Sequence, residues 1–255
     1  MTPILIALAC ACGSTERAST EPTANEPRDE EPTAPLERVT FAASDGLTLV
    51  GSLRRAERGA PALILLHQLS SNRGEWTPML EAMPTDITIL SFDMRGHGES
   101  IVRDGRTVGW RAFASADWQH TVDDVGRAID YLKREVGADR FVLGGASIGS
   151  SAALLTALDR PEVAGVFALS PGRAYRGLDT ISRAADLRER RTLFVAAEGE
   201  APAKEAAEEL ARLAGGSASI VGGNAHGVRM VGAAPDLPAR LAAFVADTLS
   251  PEAAQ

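Results

Sequence analysis

The chain has 255 residues, of which 45% are hydrophobic and 24% charged, so it can bury the core of one α/β domain, and a wholly disordered protein is excluded. Its formal net charge of −8 argues against a nucleic-acid-binding protein, which needs a basic surface for phosphate contacts. No cysteine follows Cys12 and the four histidines lie far apart, so we expect no metal site and no disulfide in the folded domain.

The first 36 residues are predicted to contain a targeting signal followed by a linker. Residues 4–11 form an apolar run that is too short to span a bilayer, which takes roughly 20 residues, but long enough for the hydrophobic part of a signal peptide. Residues 13–36 are rich in Ser, Thr, Glu and Pro and carry six acidic residues and two arginines. Such a segment buries too little apolar surface to fold, so we expect a disordered acidic linker.

The apolar run followed by Cys12-Gly13-Ser14 resembles a bacterial lipoprotein signal. The resemblance implies that residues 1–12 are a signal peptide and that Cys12 is lipidated, with Cys10 as the alternative. It also implies a membrane partner, because the protein would be lipid-anchored on the periplasmic or outer side of the bacterial cell envelope. A plain secretory signal and a cytosolic protein remain the alternatives.

The rest of the chain, residues 37–255, shows no break in composition and is predicted as one domain. Two β-prone runs flank Asp45-Gly46, which indicates an antiparallel hairpin at the start. Continuous apolar runs then alternate with amphipathic segments, the pattern of a mostly parallel sheet with helices on both faces. In chain order, we predict strands at 38–44, 47–53, 62–67 and 87–92, a helix at 116–136, a strand at 141–143, a helix at 147–158, strands at 163–169 and 193–197, a helix at 202–213, a strand at 218–221 and a helix at 237–249.

A candidate nucleophile lies at the centre of this pattern. Gly145-Ala146-Ser147-Ile148-Gly149 matches GxSxG, with an apolar strand before it and a small-residue helix after it. This strand–turn–helix context is typical of a nucleophile elbow, which exposes the serine at the carboxyl end of the sheet and at a helix N-terminus. A serine needs a base, and His226, in a glycine-rich loop late in the chain, suits the order serine, acid, histidine.

Together these segments resemble the α/β-hydrolase superfamily. Three further segments support the resemblance: Leu65-Leu66-His67-Gln68-Leu69, Asp93-Met94-Arg95-Gly96-His97-Gly98-Glu99-Ser100 and Asn224-Ala225-His226-Gly227. The resemblance implies the α/β-hydrolase fold and an acid that follows strand 193–197. Glu200 is favoured there, with Glu198 and then Asp179 as alternatives. It also implies an oxyanion hole made by the N–H groups of Ile148 and Leu69, with Gln68 as an alternative to Leu69.

Only about 22 residues separate Ser170 from Thr192, which is room for one helix and not for a large cap domain. We therefore expect a site that accepts small or solvent-exposed acyl groups, and Trp110 either lines the pocket or packs in the core. The leading hypothesis is a serine hydrolase that cleaves small-molecule carboxylic esters without a cofactor. A thioesterase or peptidase on the same triad, or a catalytically silent lipid-anchored binding protein, are the alternatives.

Overall fold

The computed structural model describes Met1 and residues 36–251. The proposed signal peptide, Cys10, Cys12 and nearly all of the linker lie outside the described residues. Among the described residues, twelve strands and six α-helices follow one another along the chain. The strands are β1 (Glu37–Ala42), β2 (Leu47–Arg54), β3 (Ala62–Leu66), β4 (Thr88–Phe92), β5 (Val102–Arg103), β6 (Arg106–Thr107), β7 (Phe141–Ala146), β8 (Val163–Leu169), β9 (Ala174–Tyr175), β10 (Leu178–Asp179), β11 (Arg191–Ala197) and β12 (Ser217–Val221). The helices are α1 (Thr77–Leu80), α2 (Ser115–Glu135), α3 (Ile148–Asp159), α4 (Ala201–Ala214), α5 (Arg229–Ala233) and α6 (Leu237–Leu249).

Ten strands form one sheet in the order β12-β11-β8-β7-β3-β4-β2-β5-β6, and β1 pairs with β2. The pairs from β12 to β4 are all parallel, whereas β2 runs antiparallel to β1, β4 and β5. This arrangement confirms the predicted mostly parallel sheet with an antiparallel strand pair at the N-terminus. All parallel strands end at the same edge of the sheet, so the segments that follow β3, β4, β7, β8, β11 and β12 meet there.

The core lies on both faces of the sheet. In β3, Ile64 and Leu66 point to a layer that includes side chains of α2, α3 and α4. Leu63 and Leu65 point to the other layer, which includes side chains of α1, α5 and α6. Every side chain of β3 and β4 is buried, which explains why these strands are continuous apolar runs in the sequence.

The predicted elements of the sheet and its main helices are present, with ends that shift by one to three residues. The segment between β8 and β11, which has room for one helix and not for a large cap domain, contains no α-helix. It forms the two-stranded hairpin β9–β10 and a 3-10 turn at Ala184–Leu187. A second short hairpin, β5–β6, also had no counterpart in the prediction. No helix among residues 36–251 is both long enough and apolar enough to cross a membrane.

Candidate active site

Ser147 lies in a strained turn between β7 and α3. Its φ and ψ angles are 52° and −118°, a region that non-glycine residues rarely occupy. The turn is tight: a Cβ atom on Gly145 would lie 2.3 Å from the carbonyl oxygen of Gly149, and one on Gly149 would lie 2.5 Å from that of Leu66. Only glycine fits at either position, so the GxSxG pattern has a steric cause. The turn places Ser147 at the carboxyl edge of the sheet, with 8% of its surface exposed.

His226 and Glu200 form a hydrogen-bonded pair at the same edge. The His226 Nδ1 and Glu200 Oε1 atoms are 2.6 Å apart, and the two side chains are 37% and 15% exposed. A carboxylate can only accept, so Nδ1 carries a proton and, in the neutral form of the ring, Nε2 is the acceptor. The bond to Glu200 is the one hydrogen bond of this ring among residues 36–251, and none joins it to Ser147. In apo enzymes such nucleophile–base contacts are often long and tighten when substrate binds.

Backbone contacts hold the acid loop against the histidine loop. The Gly199 N–H donates to the Gly223 carbonyl oxygen at 2.7 Å, and a Cβ atom on Gly199 would lie 2.9 Å from the Asn224 Cβ. Glu200, three residues beyond the end of β11, precedes α4 and turns its side chain toward His226. Glu198 is exposed, and the Asp179 carboxylate accepts a hydrogen bond from the Ser182 N–H at 3.1 Å. Of the three acids that the sequence offered, the structure brings Glu200 to His226.

Ser170 joins these two loops, and the sequence did not indicate it. This fully buried residue follows β8 directly and has a φ of 46°. Its hydroxyl donates to Glu200 Oε2 at 2.7 Å and accepts from the Gly227 N–H at 2.8 Å. The carboxylate is therefore held from both oxygens, one by His226 and one by Ser170. A serine that follows a strand is common, so no sequence signal marks this role.

The segment after β3 provides the candidate oxyanion hole. The Gln68 N–H donates to Glu75 Oε1 at 2.9 Å, and the Ser71 hydroxyl donates to Glu75 Oε2. The Gln68 N–H is therefore engaged, which leaves Leu69 as the better candidate of the two. Ile148 is the first residue of α3, where N–H groups have no partner within the helix. Burial raises the pKa of Glu75, and its hydrogen bonds and the nearby Arg229 and His226 oppose that effect.

The Gln68 side chain reaches the histidine loop. Its Oε1 accepts from the Val228 N–H at 3.3 Å, and it approaches Gly227 so closely that a Cβ atom there would lie 1.8 Å from it. Gln68 thereby links the oxyanion segment to the histidine loop. A cavity of about 500 Å³ opens beside this segment, and its walls include Ser70, Ser71, His97 and the half-buried Trp110.

Two buried histidines, His67 after β3 and His97 after β4, contact the segments that follow these strands. His67 is buried; its Nε2 accepts from the Met94 N–H at 2.9 Å and its Nδ1 donates to the Gln68 carbonyl oxygen at 2.7 Å. Burial lowers the pKa of His67 to about 4, so the ring is neutral. The His97 ring stacks on Trp110 with centroids 5.5 Å apart. Both rings therefore help to hold the segments after β3 and β4 in place.

Arg95 anchors the same segment to α2. Its guanidinium makes two 2.7 Å hydrogen bonds to the Asp124 carboxylate, and both side chains are almost fully buried. Asp45 accepts a third bond from Arg95. Among the described residues, no group of three or more His, Cys, Asp or Glu side chains could hold a metal ion.

These features place the chain in a known family. Residues 61–205, more than half of the chain, match the sequence profile of the alpha/beta hydrolase fold family. The chain belongs to this family, and the sheet order and the strand–turn–helix at Ser147 agree with that membership.

Individual relatives are distant. The chain is 27% identical over 73 residues to 3-oxoadipate enol-lactonase 1 of Acinetobacter baylyi, and the match covers 29% of this chain and 27% of that enzyme. The fold is similar to the esterase Pf2001 of Pyrococcus furiosus, with a TM-score of 0.68, 16% identity and coverage of 84% and 93% of the two chains. It is also similar to a proline iminopeptidase-related protein of Thermus thermophilus, with a TM-score of 0.63, 15% identity and coverage of 85% and 99%.

Proposed function

We propose that this α/β hydrolase is a serine hydrolase that cleaves small carboxylic esters through an acyl-enzyme intermediate on Ser147, His226 and Glu200. The observation that carries the proposal is the pairing of His226 with Glu200 at 2.6 Å, at the sheet edge where the strained turn exposes Ser147. A neutral imidazole with a free Nε2 is the base that a serine nucleophile requires.

In the proposed reaction the Ser147 Oγ bonds to the acyl carbon while its proton passes to His226 Nε2. The bond between the acyl carbon and the alcohol oxygen then breaks, and that oxygen takes the proton from Nε2. Water repeats the same two steps to release the acid and restore Ser147. Glu200 keeps Nδ1 protonated and stabilises the imidazolium that forms between the steps.

The N–H groups of Ile148 and Leu69 are proposed to hold the negative charge on the acyl oxygen. Ile148 belongs to the helix N-terminus, where the helix dipole favours a negative charge. Leu69 is proposed over Gln68 because the Gln68 N–H is bonded to Glu75. No metal or organic cofactor takes part in this proposal.

Two other activities stay as alternatives. A thioesterase or a peptidase needs the same three residues, and one similar structure is named a proline iminopeptidase-related protein. A silent binding protein would retain the fold without turnover. The esterase and lactonase names among the relatives favour oxygen esters and lactones over thioesters and peptides.

Labelling with a fluorophosphonate, followed by mass mapping, tests the nucleophile. Ser147 alone should react, and Ser147→Ala should abolish both labelling and the hydrolysis of p-nitrophenyl esters from acetate to laurate. Labelling that persists in Ser147→Ala would sink the assignment. If the protein is labelled at Ser147 but cleaves only thioesters or peptides, the substrate class is thioesters or peptides and not carboxylic esters.

The acid has a matched control in the same loop. Glu200→Gln should reduce kcat by several orders of magnitude with KM nearly unchanged, because an amide can donate to Nδ1 and impose the wrong tautomer on His226. Glu198→Gln, two residues away and exposed, should be mild. The reverse ranking would assign the role to Glu198, and two mild variants would point to Asp179 or to a Ser–His dyad.

We further propose that residues 1–12 are a lipoprotein-type signal in which Cys12 is acylated and becomes the new N-terminus, that residues 13–36 tether the domain, and that residues 37–255 form it at the bacterial cell envelope. The support is the apolar run, the cysteine and the acidic linker. Mass spectrometry of protein from the native membrane fraction should find a lipid mass on Cys12. A soluble protein with an intact Met1, or a lipid on Cys10, would contradict this assignment.

A further inference from the structure

The hairpin β9–β10 places a tyrosine beside the nucleophile. Its turn is Arg176-Gly177, where φ is 52° and 85°. The turn contacts the first part of α2: the Gln119 side-chain amide donates to the Gly177 carbonyl oxygen at 3.0 Å, and the Arg176 guanidinium lies 5.7 Å from the centre of the Trp118 ring. The hairpin is therefore held in place from outside the site, with Tyr175 as the last residue of its first strand.

The Tyr175 ring lies against Gly172, where a Cβ atom would be 2.5 Å from two ring carbons. Its hydroxyl donates to the Ser170 carbonyl oxygen at 3.4 Å, which is longer than the usual 2.5–3.0 Å of such bonds. Ser170 follows Leu169, whose carbonyl oxygen accepts from the Ser147 N–H at 2.8 Å, so the hydroxyl lies beside the turn that carries the nucleophile. Burial raises the pKa of Tyr175, the nearby Ser147 side chain opposes that effect, and the charge of Glu200 adds to it, so the phenol keeps its proton. Tyr175 thus presents a weakly held O–H donor next to the nucleophile.

The order of the strands shows on which side of Ser147 this donor lies. β7, which leads to Ser147, has β3 on one side and β8 on the other. The oxyanion segment follows β3, whereas Tyr175 follows β8. Glu200 and the His226 loop follow β11 and β12, which lie beyond β8. Tyr175 therefore lies on the β8 side of Ser147, together with Glu200, whereas the oxyanion segment follows β3 on the other side of β7.

We propose that Tyr175 is a further catalytic residue that donates a hydrogen bond to the leaving-group oxygen of the ester. This inference rests on the proposed function. The leaving oxygen must lie within reach of His226, because His226 Nε2 gives it a proton, while the acyl oxygen lies at the N–H groups of Ile148 and Leu69. As the bond from the acyl carbon to the alcohol oxygen breaks, the electron pair stays on that oxygen. The proton comes from His226, and Tyr175 retains its own while its hydrogen bond stabilises the growing charge.

Tyr175→Phe tests this role with two esters of the same acid. Ethyl butyrate and p-nitrophenyl butyrate form the same acyl-enzyme, so a difference in kcat/KM reports on the step in which the alcohol leaves. Ethoxide is a poor leaving group and needs the hydrogen bond, whereas p-nitrophenoxide disperses its own charge. The variant should lose about tenfold more kcat/KM on ethyl butyrate than on p-nitrophenyl butyrate. Gly172→Ala, which displaces the ring but keeps the hydroxyl, should show the same selective loss.

Tyr131→Phe is the matched control. Tyr131 is the other tyrosine of the chain, and its ring stacks on Phe41 with centroids 5.2 Å apart. This variant should leave both esters unaffected. Equal losses of Tyr175→Phe on both esters would show a merely structural role and overturn the inference, as would no loss on either. A wild-type protein that cleaves neither ester and is not labelled at Ser147 would refute the proposed function together with this inference.

Discussion

Ser170→Ala should separate the two loops that carry Glu200 and His226. The substitution removes one buried hydroxyl and with it two hydrogen bonds, to Glu200 Oε2 at 2.7 Å and from the Gly227 N–H at 2.8 Å. A buried N–H without an acceptor costs about 1–3 kcal/mol, and a hydrogen bond to a charged group contributes about 1.5–3 kcal/mol. The two losses share one group and are not additive. We expect the free energy of unfolding to fall by about 2–4 kcal/mol at pH 7.

Catalysis should suffer as well, because Ser170 holds the carboxylate oxygen that His226 does not use. Without it Glu200 can rotate, and the His226 imidazole loses the fixed partner that orients it. A misplacement of about 1 Å in such a site costs roughly a hundredfold in rate. We expect kcat on p-nitrophenyl butyrate to fall about ten- to hundredfold, with KM nearly constant because Ser170 is fully buried.

The chain offers a matched control for this measurement. Ser151, in α3, is also fully buried, but its hydroxyl has no hydrogen-bond partner among residues 36–251. Ser151→Ala should therefore change stability by less than about 0.5 kcal/mol and leave kcat unchanged. Denaturant unfolding and ester hydrolysis would be measured on both variants. If Ser170→Ala behaved like Ser151→Ala in both assays, the proposed link between the two loops would be wrong.

Two further predictions concern Glu75 and His67, which support the oxyanion segment. Glu75→Gln turns one of the two carboxylate oxygens into an NH2 group, so the hydrogen bond to either the Gln68 N–H or the Ser71 hydroxyl is lost. The loss should displace Leu69 and lower both kcat and the rate of fluorophosphonate labelling about tenfold. Glu81→Gln, at an exposed site nearby, should change neither, and an equal effect of both would contradict the role of Glu75. Burial lowers the pKa of His67 from 6.5 in the unfolded chain to about 4 in the folded protein. Between these pH values the unfolded chain binds more protons than the folded protein does. The free energy of unfolding should therefore fall by up to about 3 kcal/mol as the pH drops from 6.5 to 4. Unfolding curves across this range should show a smaller pH dependence in His67→Gln, and an unchanged dependence would refute the assignment.

The sequence was sufficient for the sheet because its central strands are buried on both faces. Residues 62–66 and 88–92 are continuous apolar runs, and such runs mark parallel strands whatever their neighbours are. The short hairpin at Ala174–Tyr175 and Leu178–Asp179 has no such signature. Its two-residue strands are stabilised by contacts to α2 and α3, which lie far away in the sequence, so a local pattern could not reveal them.

In the candidate site, too, some residues could be predicted from the sequence and others could not. Ser147 stands in a motif whose two glycines are required by close backbone contacts, so its spacing indicated the turn. His226 was indicated by its glycine-rich loop late in the chain. Glu200 was favoured over Glu198 by position, and the structure brings its side chain to His226. Ser170 acts through hydrogen bonds to residues that other strands deliver to the same edge, and such tertiary contacts carry no local sequence signal. Glu75 bonds to Gln68 and Ser71 of its own segment, but these residue types form no motif that marks the contact.

Side-chain hydrogen bonds between loops explain how the carboxyl edge of the sheet holds strained backbone without a large cap domain over it. Ser147 and Ser170 both have positive φ, a conformation that persists only where the surroundings fix it. Ser170 binds the acid loop and the histidine loop, and Gln68 binds the histidine loop to the oxyanion segment. Each segment is therefore fixed by at least one neighbour before any substrate arrives. A site assembled in this way does not need closure to complete its geometry, so its selectivity should come from the groups that line it.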